Sequence, residues 1–252
     1  MKTALITGAT SGFGKAISFR LAGLGYQLII TGRRQERLEE LSKKLISDYS
    51  VNVQTLCFDV RENEACTKAF QSLPETFQDI DLLINNAGLA AGASPFDESD
   101  LADFDQMIDT NVKGLLYMTK LIVPGMIKRK SGHIINLSSI AGIEVYPTGS
   151  VYCASKHAVN AITKGLRLDL VKYGIKVSSV SPGMAETEFS LVRYHGDSDK
   201  AKAVYAGLTP LNAEDITDAI EFIVTRPPHV SINDIQLNPA QQANTYISNR
   251  II

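Results

Sequence analysis

The stretch TALITGATSGFGKAISFRLAGLG, residues 3–25, determines the fold class of this chain. An apolar run of strand length leads into a turn with the glycine pattern G-x-x-x-G-x-G, and Ile17, Leu21 and Leu24 then recur at helical spacing. Glycines in such a turn let backbone N–H groups at the positive end of a helix approach a phosphate. The stretch therefore predicts the first strand, turn and helix of a nucleotide-binding α/β sheet.

The same alternation of strand-length and helix-length segments continues along the chain. Short apolar strands joined through helices form parallel sheets that are covered on both faces. No linker, low-complexity tract or internal repeat divides the pattern, which predicts one Rossmann-like, doubly wound α/β domain over residues 1–252. The predicted strands are Thr3–Ile6, Gln27–Ile30, Val51–Phe58, Asp81–Ile84, His133–Leu137, Ile175–Val180 and Asp234–Leu237.

An irregular segment, residues 184–212, follows the sixth predicted strand. In doubly wound sheets, ligands bind beyond the C-terminal ends of the strands. A long insertion at this point is therefore a candidate substrate lid within the domain. The alternative is a surface excursion without a role in binding.

The composition is typical of a folded globular protein, since 44% of the 252 residues are hydrophobic and 21% are charged. The net charge of −2 argues against nucleic acid or an anionic membrane as a partner. The three cysteines form no CxxC pair, and no segment has a signal-peptide pattern or the roughly 20 apolar residues of a membrane span. These features predict a cytoplasmic protein, and the spacing of the four histidines predicts no metal site.

The end of the second predicted strand indicates which dinucleotide binds. An NAD enzyme would place an acidic residue there to hold the ribose 2′-hydroxyl, but this chain has Gly32, Arg33 and Arg34. Guanidinium groups suit a 2′-phosphate, which an acidic side chain would repel. The segment therefore predicts NADP as the cofactor, and the hydroxyl of Ser11 is a candidate additional ligand of the same phosphate.

Tyr152 and Lys156 stand four residues apart and so share one face of a predicted helix. A free tyrosine has a pKa of about 10, and a nearby ammonium group favours its phenolate. Tyr152 is therefore a workable general acid or base near neutral pH. A YxxxK pair alone carries little information, but here it follows a nucleotide-binding turn and a serine, Ser139, placed after the fifth predicted strand.

At these residues the chain resembles the short-chain dehydrogenase/reductase family, and the resemblance covers nearly the whole chain. The matching features are TGATSGFG at 7–14, Asp59-Val60, NNAG at 85–88, Asn111, Ser139, YCASK at 152–156 and Pro182-Gly183. The family fold and a hydride-transfer activity on a small-molecule substrate are what this resemblance implies.

The resemblance also implies the catalytic roles. Tyr152 would give or take the proton, Ser139 would orient and polarise the carbonyl, and both would contact substrate. Lys156 would hold the nicotinamide ribose and lower the pKa of Tyr152. Asn111 would kink its helix and support a water relay to Lys156.

The cofactor contacts come from the same resemblance, together with the arginine pair. The glycine-rich turn would line the pyrophosphate and ribose, Asp59 and Val60 would meet the adenine, and Asn86 with the segment from 182 to 187 would bracket the nicotinamide. The predicted cofactor residues are Gly8, Thr10, Ser11, Gly12, Phe13, Arg33, Arg34, Asp59, Val60, Asn86, Tyr152, Lys156, Pro182, Gly183 and Thr187.

Longer stretches are similar to the NADP-dependent 3-hydroxy acid dehydrogenases within that family. They include TGRRQERL at 31–38, IDTNVKG at 108–114 and TEFSLVRYHGD at 187–197. This similarity implies oxidation of serine, allo-threonine or another short 3-hydroxy acid at its 3-hydroxyl, or reduction of the matching 3-oxo acid such as malonic semialdehyde. It also implies a homotetramer.

A short acid substrate needs a cation near the reacting carbon, and Arg193 lies in the candidate lid. A guanidinium group could bind the carboxylate through two parallel hydrogen bonds in a desolvated pocket. The alternative is an ion pair of Arg193 on the surface of the candidate lid.

Three other functions are weighed against the hydroxy acid dehydrogenase. One is a reductase of another small carbonyl or of a 3-oxoacyl thioester. Another is a non-catalytic NADP-sensing module, which would not need the set Asn111, Ser139, Tyr152 and Lys156. The third, a methyltransferase-like nucleotide domain, leaves the YxxxK pair and the arginine pair without explanation.

Overall fold

Seven segments of the chain pair into one parallel β-sheet in the computed structural model, which describes residues 1–251. The strands are β1 (Thr3–Ile6), β2 (Gln27–Gly32), β3 (Val53–Cys57), β4 (Leu82–Asn85), β5 (Gly132–Leu137), β6 (Ile175–Pro182) and β7 (Asp234–Leu237). Their order across the sheet is β3-β2-β1-β4-β5-β6-β7. This order confirms the predicted Rossmann-like, doubly wound sheet.

Helices cover both faces of the sheet. They are α1 (Gly12–Gly23), α2 (Gln35–Tyr49), α3 (Asn63–Gln71), α4 (Glu75–Gln78), α5 (Leu101–Ile108), α6 (Leu115–Arg129), α7 (Ser150–Leu170), α8 (Glu188–Arg193), α9 (Ser198–Ala203) and α10 (Ala213–Val224). The described residues also form short 3-10 helices at Phe96–Glu98, Ile140–Gly142 and Val171–Tyr173, and a π-helical segment at Asp109–Gly114. None of the helices in residues 1–251 combines the length and the hydropathy that crossing a bilayer requires.

Side chains of successive strand residues point to opposite faces of the sheet, which divides the hydrophobic core into two layers. Ile6 of β1 packs in one layer with Ile17 of α1 and Ile220 of α10. Leu5 of β1 packs in the other layer with Met118 of α6. Burial of each such side chain contributes about 1.5–3 kcal/mol, and a one-residue shift of β1 would exchange its two faces, so this core fixes the register.

The strand order reverses at β1, which pairs with β2 on one side and β4 on the other. In doubly wound sheets this reversal opens a crevice beyond the C-terminal ends of the strands. The ends of β1 and β4, Ile6 and Asn85, stand at this place, and the glycine-rich turn follows β1 directly. The fold therefore places the nucleotide-binding turn and the NNAG segment side by side.

The candidate lid, residues 184–212, contains α8 and α9 and closes on itself at its base. Ala185 and Leu211 form a parallel β-bridge, so the segment leaves the sheet and returns to the same place. The C-terminal tail, residues 239–251, then folds back against it, with the N–H of Ile251 donating to Gly207 O at 2.8 Å. The candidate lid is thus held both at its base and by the tail.

Candidate active site

A cavity of about 480 Å³ opens beyond the C-terminal ends of the strands and collects almost all of the predicted site residues. Of the predicted set, Val60 and Asn111 do not line it. The predicted residues that do are Gly8, Thr10, Ser11, Gly12, Phe13, Arg33, Arg34, Asp59, Asn86, Ser139, Tyr152, Lys156, Pro182, Gly183, Thr187 and Arg193.

The glycine-rich turn leaves backbone surface free for a phosphate. Gly8 and Gly12 have φ angles of +67° and +50°, which residues other than glycine rarely adopt. A Cβ on Gly14 would stand 2.4 Å from Gly8 O and 2.5 Å from Asn86 Nδ2, so α1 reaches the end of β1 only with glycine here. Asn86 Nδ2 also donates to Gly8 O at 3.1 Å, which joins this turn to the segment after β4. The cradle fits the pyrophosphate of a dinucleotide.

The adenosine end of the cavity carries the predicted arginine pair. Arg34 donates from Nη2 to Thr10 Oγ1 and to Ser11 Oγ, both at 2.8 Å. Arg33 Nη1 lies 3.5 Å from Asp59 Oδ2. The arginine side chains and two hydroxyl groups thus converge where a 2′-phosphate would bind, which fits NADP.

Asp59 is held in its ionised form at the same end. Burial opposes ionisation, but hydrogen bonds from Arg61 outweigh it and keep the pKa of Asp59 below its ordinary value. The Arg61 side chain donates to Asp59 Oδ2 at 2.7 and 3.0 Å. Val60 is buried next to it and lies against Gly114, where an added Cβ would stand 2.9 Å from the Val60 side chain. Val60 therefore packs below the cavity wall.

The predicted catalytic side chains meet at the opposite end of the cavity. Lys156 Nζ lies 5.9 Å from the centre of the Tyr152 ring and donates to Leu137 O at 2.9 Å. The Ser139 hydroxyl donates to Pro182 O at 3.3 Å and accepts from the N–H of Ala141 at 3.1 Å. Helix α7 and the end of β5 thus bring together the tyrosine, lysine and serine.

Burial shifts the pKa values of Tyr152 and Lys156. It raises the pKa of Tyr152 above its ordinary value, although the Ser139 hydroxyl acts in the opposite direction. Burial also lowers the pKa of Lys156 to about 8, so the ammonium form still predominates at neutral pH. The direction for Tyr152 is opposite to the lowering predicted from the nearby lysine, because the cost of burying the phenolate outweighs the effect of the neighbouring groups.

Asn111 lies behind the cavity wall, in the π-helical segment between α5 and α6. Its Nδ2 donates to Leu89 O at 2.8 Å and to Ser155 Oγ at 3.0 Å, and its Oδ1 accepts from the N–H of Leu89 at 2.8 Å. An added Cβ on Gly88 would lie 3.2 Å from Asn111 Oδ1 and 3.3 Å from Lys156 Nζ. The bare backbone of Gly88 therefore lies between the asparagine and the lysine.

Arg193, at the end of α8, points into the cavity and contacts neutral oxygens. Its Nε donates to Gly92 O at 3.2 Å and its Nη1 to the Tyr146 hydroxyl at 3.1 Å. The guanidinium carbon also lies 5.5 Å from the centre of the Tyr146 ring. These contacts fix the direction of the side chain without neutralising its charge.

Several further residues line the cavity that were not individually predicted as site residues: Tyr146, Glu188, Phe189, Gln242 and Thr245. The Phe189 ring lies edge-on to Tyr152, with centres 5.7 Å apart. The ring of Tyr146 occupies the space that a side chain on Gly149 would need, since an added Cβ would stand 2.2 Å from it. The turn residue Gly149 is the sequence signal that could have identified Tyr146. The other four residues are brought to the cavity by the tertiary fold, which the sequence pattern does not reveal.

The tail carries a side chain that holds the second half of the candidate lid. Arg250 donates to Ala206 O at 2.7 Å and to Val204 O at 3.0 Å. Gln241 Oε1 also accepts from the N–H of Thr209 at 2.7 Å. The tail therefore supplies hydrogen bonds to backbone groups that follow α9.

Replacing Arg250 with Ala should loosen this part of the candidate lid. The variant loses two hydrogen bonds of about 1 kcal/mol each, so deuterium uptake over residues 203–209 should rise roughly tenfold or more in rate. Arg226→Ala is the matched control, because Arg226 contacts Phe222 and Thr225 of its own helix end. Equal uptake in the Arg250→Ala variant and the native protein would contradict this role.

Within residues 1–251, no three His, Cys, Asp or Glu side chains cluster in a way that could hold a metal ion. His195 follows α8 and its Nε2 lies 3.2 Å from Asp103 Oδ2, with the histidine largely exposed.

Residues 2–195 match the sequence profile of the family described as short chain dehydrogenase. The matched range contains the glycine-rich turn, both arginines at the end of β2 and the catalytic residues predicted from sequence. It also includes the first half of the candidate lid.

Several similar proteins share most of their length with this chain. Sulfoacetaldehyde reductase 2 of Chromohalobacter salexigens is 47% identical over 95% of this chain and 94% of its own. NADP-dependent 3-hydroxy acid dehydrogenase YdfG of Salmonella typhi is 45% identical, with 95% of each chain covered. Among solved structures, the closed form of a serine dehydrogenase complexed with NADP+ has a TM-score of 0.92 and 41% identity, covering 99% of this chain and 100% of that one.

Proposed function

The chain belongs to the short-chain dehydrogenase family, and we propose that it moves a hydride between NADP and carbon 3 of a short 3-hydroxy acid or the matching 3-oxo acid. It is an NADP-dependent oxidoreductase.

The charge of Arg193 in the catalytic cavity carries the substrate proposal. This guanidinium lines the same cavity as Ser139 and Tyr152, and its contacts to Gly92 and Tyr146 are neutral. A partly buried cation without a charged partner favours an anionic ligand. A small acid with its carboxylate on Arg193 would therefore present its reacting carbon to the tyrosine and serine.

The names of the relatives are consistent with one kind of substrate. Sulfoacetaldehyde and a 3-oxo acid each carry an anionic group separated from the carbonyl carbon by one methylene. Sulfoacetaldehyde appears in the name of one relative, and the hydroxy acid that corresponds to a 3-oxo acid appears in the name of another. One methylene separates the anionic group from the reacting carbon in both molecules. A single cation could therefore recognise the anionic group of either substrate.

Tyr152 is the proposed acid and base. In the direction of reduction its buried hydroxyl would donate a proton to the carbonyl oxygen while Ser139 donates a hydrogen bond to the same oxygen. Lys156 would place its ammonium group near the tyrosine and the cofactor ribose, and Asn111 would connect Lys156 to a water relay past Gly88. When bound, NADP supplies or accepts the hydride at its nicotinamide ring.

The residues that would hold the cofactor divide into three groups. The glycine-rich turn would bind the pyrophosphate through its backbone, and the arginines after β2 would bind the 2′-phosphate. Asp59 would meet the adenine side, and Asn86 with the segment 182–187 would bracket the nicotinamide. Residues of each group line the same cavity.

We also expect a homotetramer. Apolar side chains remain exposed on the outer surface of α7 and just after it, where Leu168 is 78% and Val171 is 68% exposed. Such side chains are suited to contacts between copies of a chain. Light scattering coupled to size-exclusion chromatography gives the mass directly, and a monomer mass would overturn the assignment.

A substrate panel tests the proposed function. NADPH absorbance would be followed with serine, allo-threonine, 3-hydroxypropionate, 3-hydroxyisobutyrate and a bulky neutral alcohol, each with NADP and with NAD. Turnover of the short acids with NADP is expected, because both the anionic group and the 2′-phosphate have cationic partners. The amide of 3-hydroxypropionate is the matched control, and its kcat/KM should be about tenfold to a hundredfold lower.

Other outcomes of the panel point to the alternatives. Turnover of the bulky alcohol alone would retain a carbonyl reductase and contradict the hydroxy acid assignment. If no compound of the panel is turned over while NADPH still binds, a 3-oxoacyl thioester substrate or a non-catalytic NADP-sensing module would be favoured.

A further inference from the structure

Glu188 begins α8 in the candidate lid, and its carboxylate lies against two arginines at the adenosine end of the cavity. Arg34 Nη1 donates to Glu188 Oε2 at 3.0 Å. Arg37 Nη1 donates to both carboxylate oxygens, at 2.8 and 3.0 Å. One carboxylate of the candidate lid therefore bridges two guanidinium groups at the start of α2.

The two arginines stand where positive charge is unfavourable without an anion. Arg34 is the N-cap residue of α2 and Arg37 lies in its first turn, so both oppose the helix dipole. The other two nitrogens of Arg34 donate to the neutral hydroxyls of Thr10 and Ser11. Glu188 supplies a negative charge to both arginines, in addition to Glu36 in the first turn of α2.

We propose that Glu188 is a displaceable counter-ion at the 2′-phosphate site: its carboxylate pairs with both guanidinium groups and leaves Arg34 when the 2′-phosphate of NADP binds. The step is an exchange of one anion for another, with no covalent change and no proton transfer. It concerns the cofactor end of the cavity and does not depend on which substrate the enzyme uses.

The exchange is favourable because the bridge lies at the surface. The side chains of Glu188, Arg34 and Arg37 are 43%, 41% and 46% exposed, and exposed ion pairs contribute little. A phosphate monoester carries a charge of about −1.5 to −2 at neutral pH and pairs with arginine through two hydrogen bonds. The phosphate therefore outcompetes the carboxylate on Arg34, whereas NAD leaves the bridge in place.

The structure also offers the displaced carboxylate a place to go. A second cavity of about 310 Å³ adjoins the bridge and is lined by Glu188, Arg37 and Lys15. Lys44 lines it too but is already paired with Glu40 at 2.7 Å. Glu188 can therefore keep Arg37 while it gives up Arg34, and the first turn of α8 is then held to α2 through Arg37 alone.

Binding of adenosine fragments tests the proposal without any turnover. Dissociation constants of 2′,5′-ADP and 5′-AMP would be measured by calorimetry for the native protein and for Glu188→Gln. The variant should bind 2′,5′-ADP about fivefold more tightly, since the competing charge is gone, and bind 5′-AMP as before. Glu186→Gln, which removes an exposed carboxylate two residues away, should change neither constant.

Hydrogen exchange of the native protein gives an independent readout. Deuterium uptake over residues 187–193 should rise with 2′,5′-ADP and stay unchanged with 5′-AMP, because only the former breaks the Arg34–Glu188 bond that helps to hold α8. Unchanged or weaker binding of 2′,5′-ADP by Glu188→Gln would overturn the proposal, since Glu188 would then merely orient the arginines. Equal uptake over residues 187–193 with the two fragments would overturn it as well.

Discussion

Replacing Tyr152 with Phe is expected to lower kcat by about 10³-fold, within the range of about 10²–10⁴ that general acid–base groups contribute. The ring of Tyr152 is 8% exposed and packs against Phe189, so phenylalanine fills the same space without the hydroxyl. The dissociation constant of NADPH, measured by fluorescence, should stay within about twofold because the cofactor cradle is unchanged. Loss of turnover with binding retained would assign the proton to Tyr152.

The pH profile of the native enzyme gives this prediction a second readout. Burial raises the pKa of Tyr152, so the side chain is a neutral phenol at neutral pH and is ready to donate a proton in reduction. Oxidation needs the deprotonated form, so its kcat/KM should climb about tenfold per pH unit below that pKa, while reduction should stay level there. In Tyr152→Phe the slope of the oxidation profile should disappear.

Tyr117→Phe is a suitable control, because Tyr117 packs against the core layer that contains Leu5 and Met118 and lies outside the cavity. It should keep kcat and the pH slope. A Tyr152→Phe enzyme with kcat within about tenfold of the native value would contradict the assignment and leave the proton to another group.

The sheet was predictable because burial on two faces produces apolar runs that mark each strand. All seven strands lie within two residues of their predicted ends. Two of the larger differences occur where strands continue through small or polar residues, as in β2, where Thr31 and Gly32 still pair with Leu56 and Cys57, whereas β3 begins two residues later than predicted. Backbone pairing does not require an apolar side chain, so hydrophobic pattern alone ends these strands too early.

The local parts of the candidate site were predictable for a related reason. The glycine-rich turn and the YxxxK pair place their chemistry within a few residues, so sequence spacing predicts geometry. Glu188 and Gln242 reach the cavity only because the candidate lid and the tail fold back onto it, as when Gln242 Oε1 accepts the N–H of Met184 at 2.8 Å. No periodicity in the sequence encodes such a return. The pKa of Tyr152 was missed for another reason, since its direction depends on burial and not on the neighbouring lysine.

Replacing Arg193 with Ala is expected to raise the KM for 3-hydroxypropionate by about 10- to 100-fold, because a charged hydrogen-bonding partner of the carboxylate is worth about 1.5–3 kcal/mol. The effect should fall on KM more than on kcat, since Arg193 would bind the substrate equally in the ground state and in the transition state. Arg193→Lys should recover part of the loss, because it keeps the charge but not the planar pair of donors.

A neutral substrate separates recognition of the anion from a structural role for Arg193. Arg193 also holds the candidate lid to Gly92 and to the Tyr146 ring, so its loss could loosen the cavity for every substrate. If it binds the carboxylate, kcat/KM for the amide of 3-hydroxypropionate should stay within about threefold in Arg193→Ala while that for the acid falls. An equal fall for acid and amide would show that Arg193 acts by holding the candidate lid, and the specificity for short anions would need another cation.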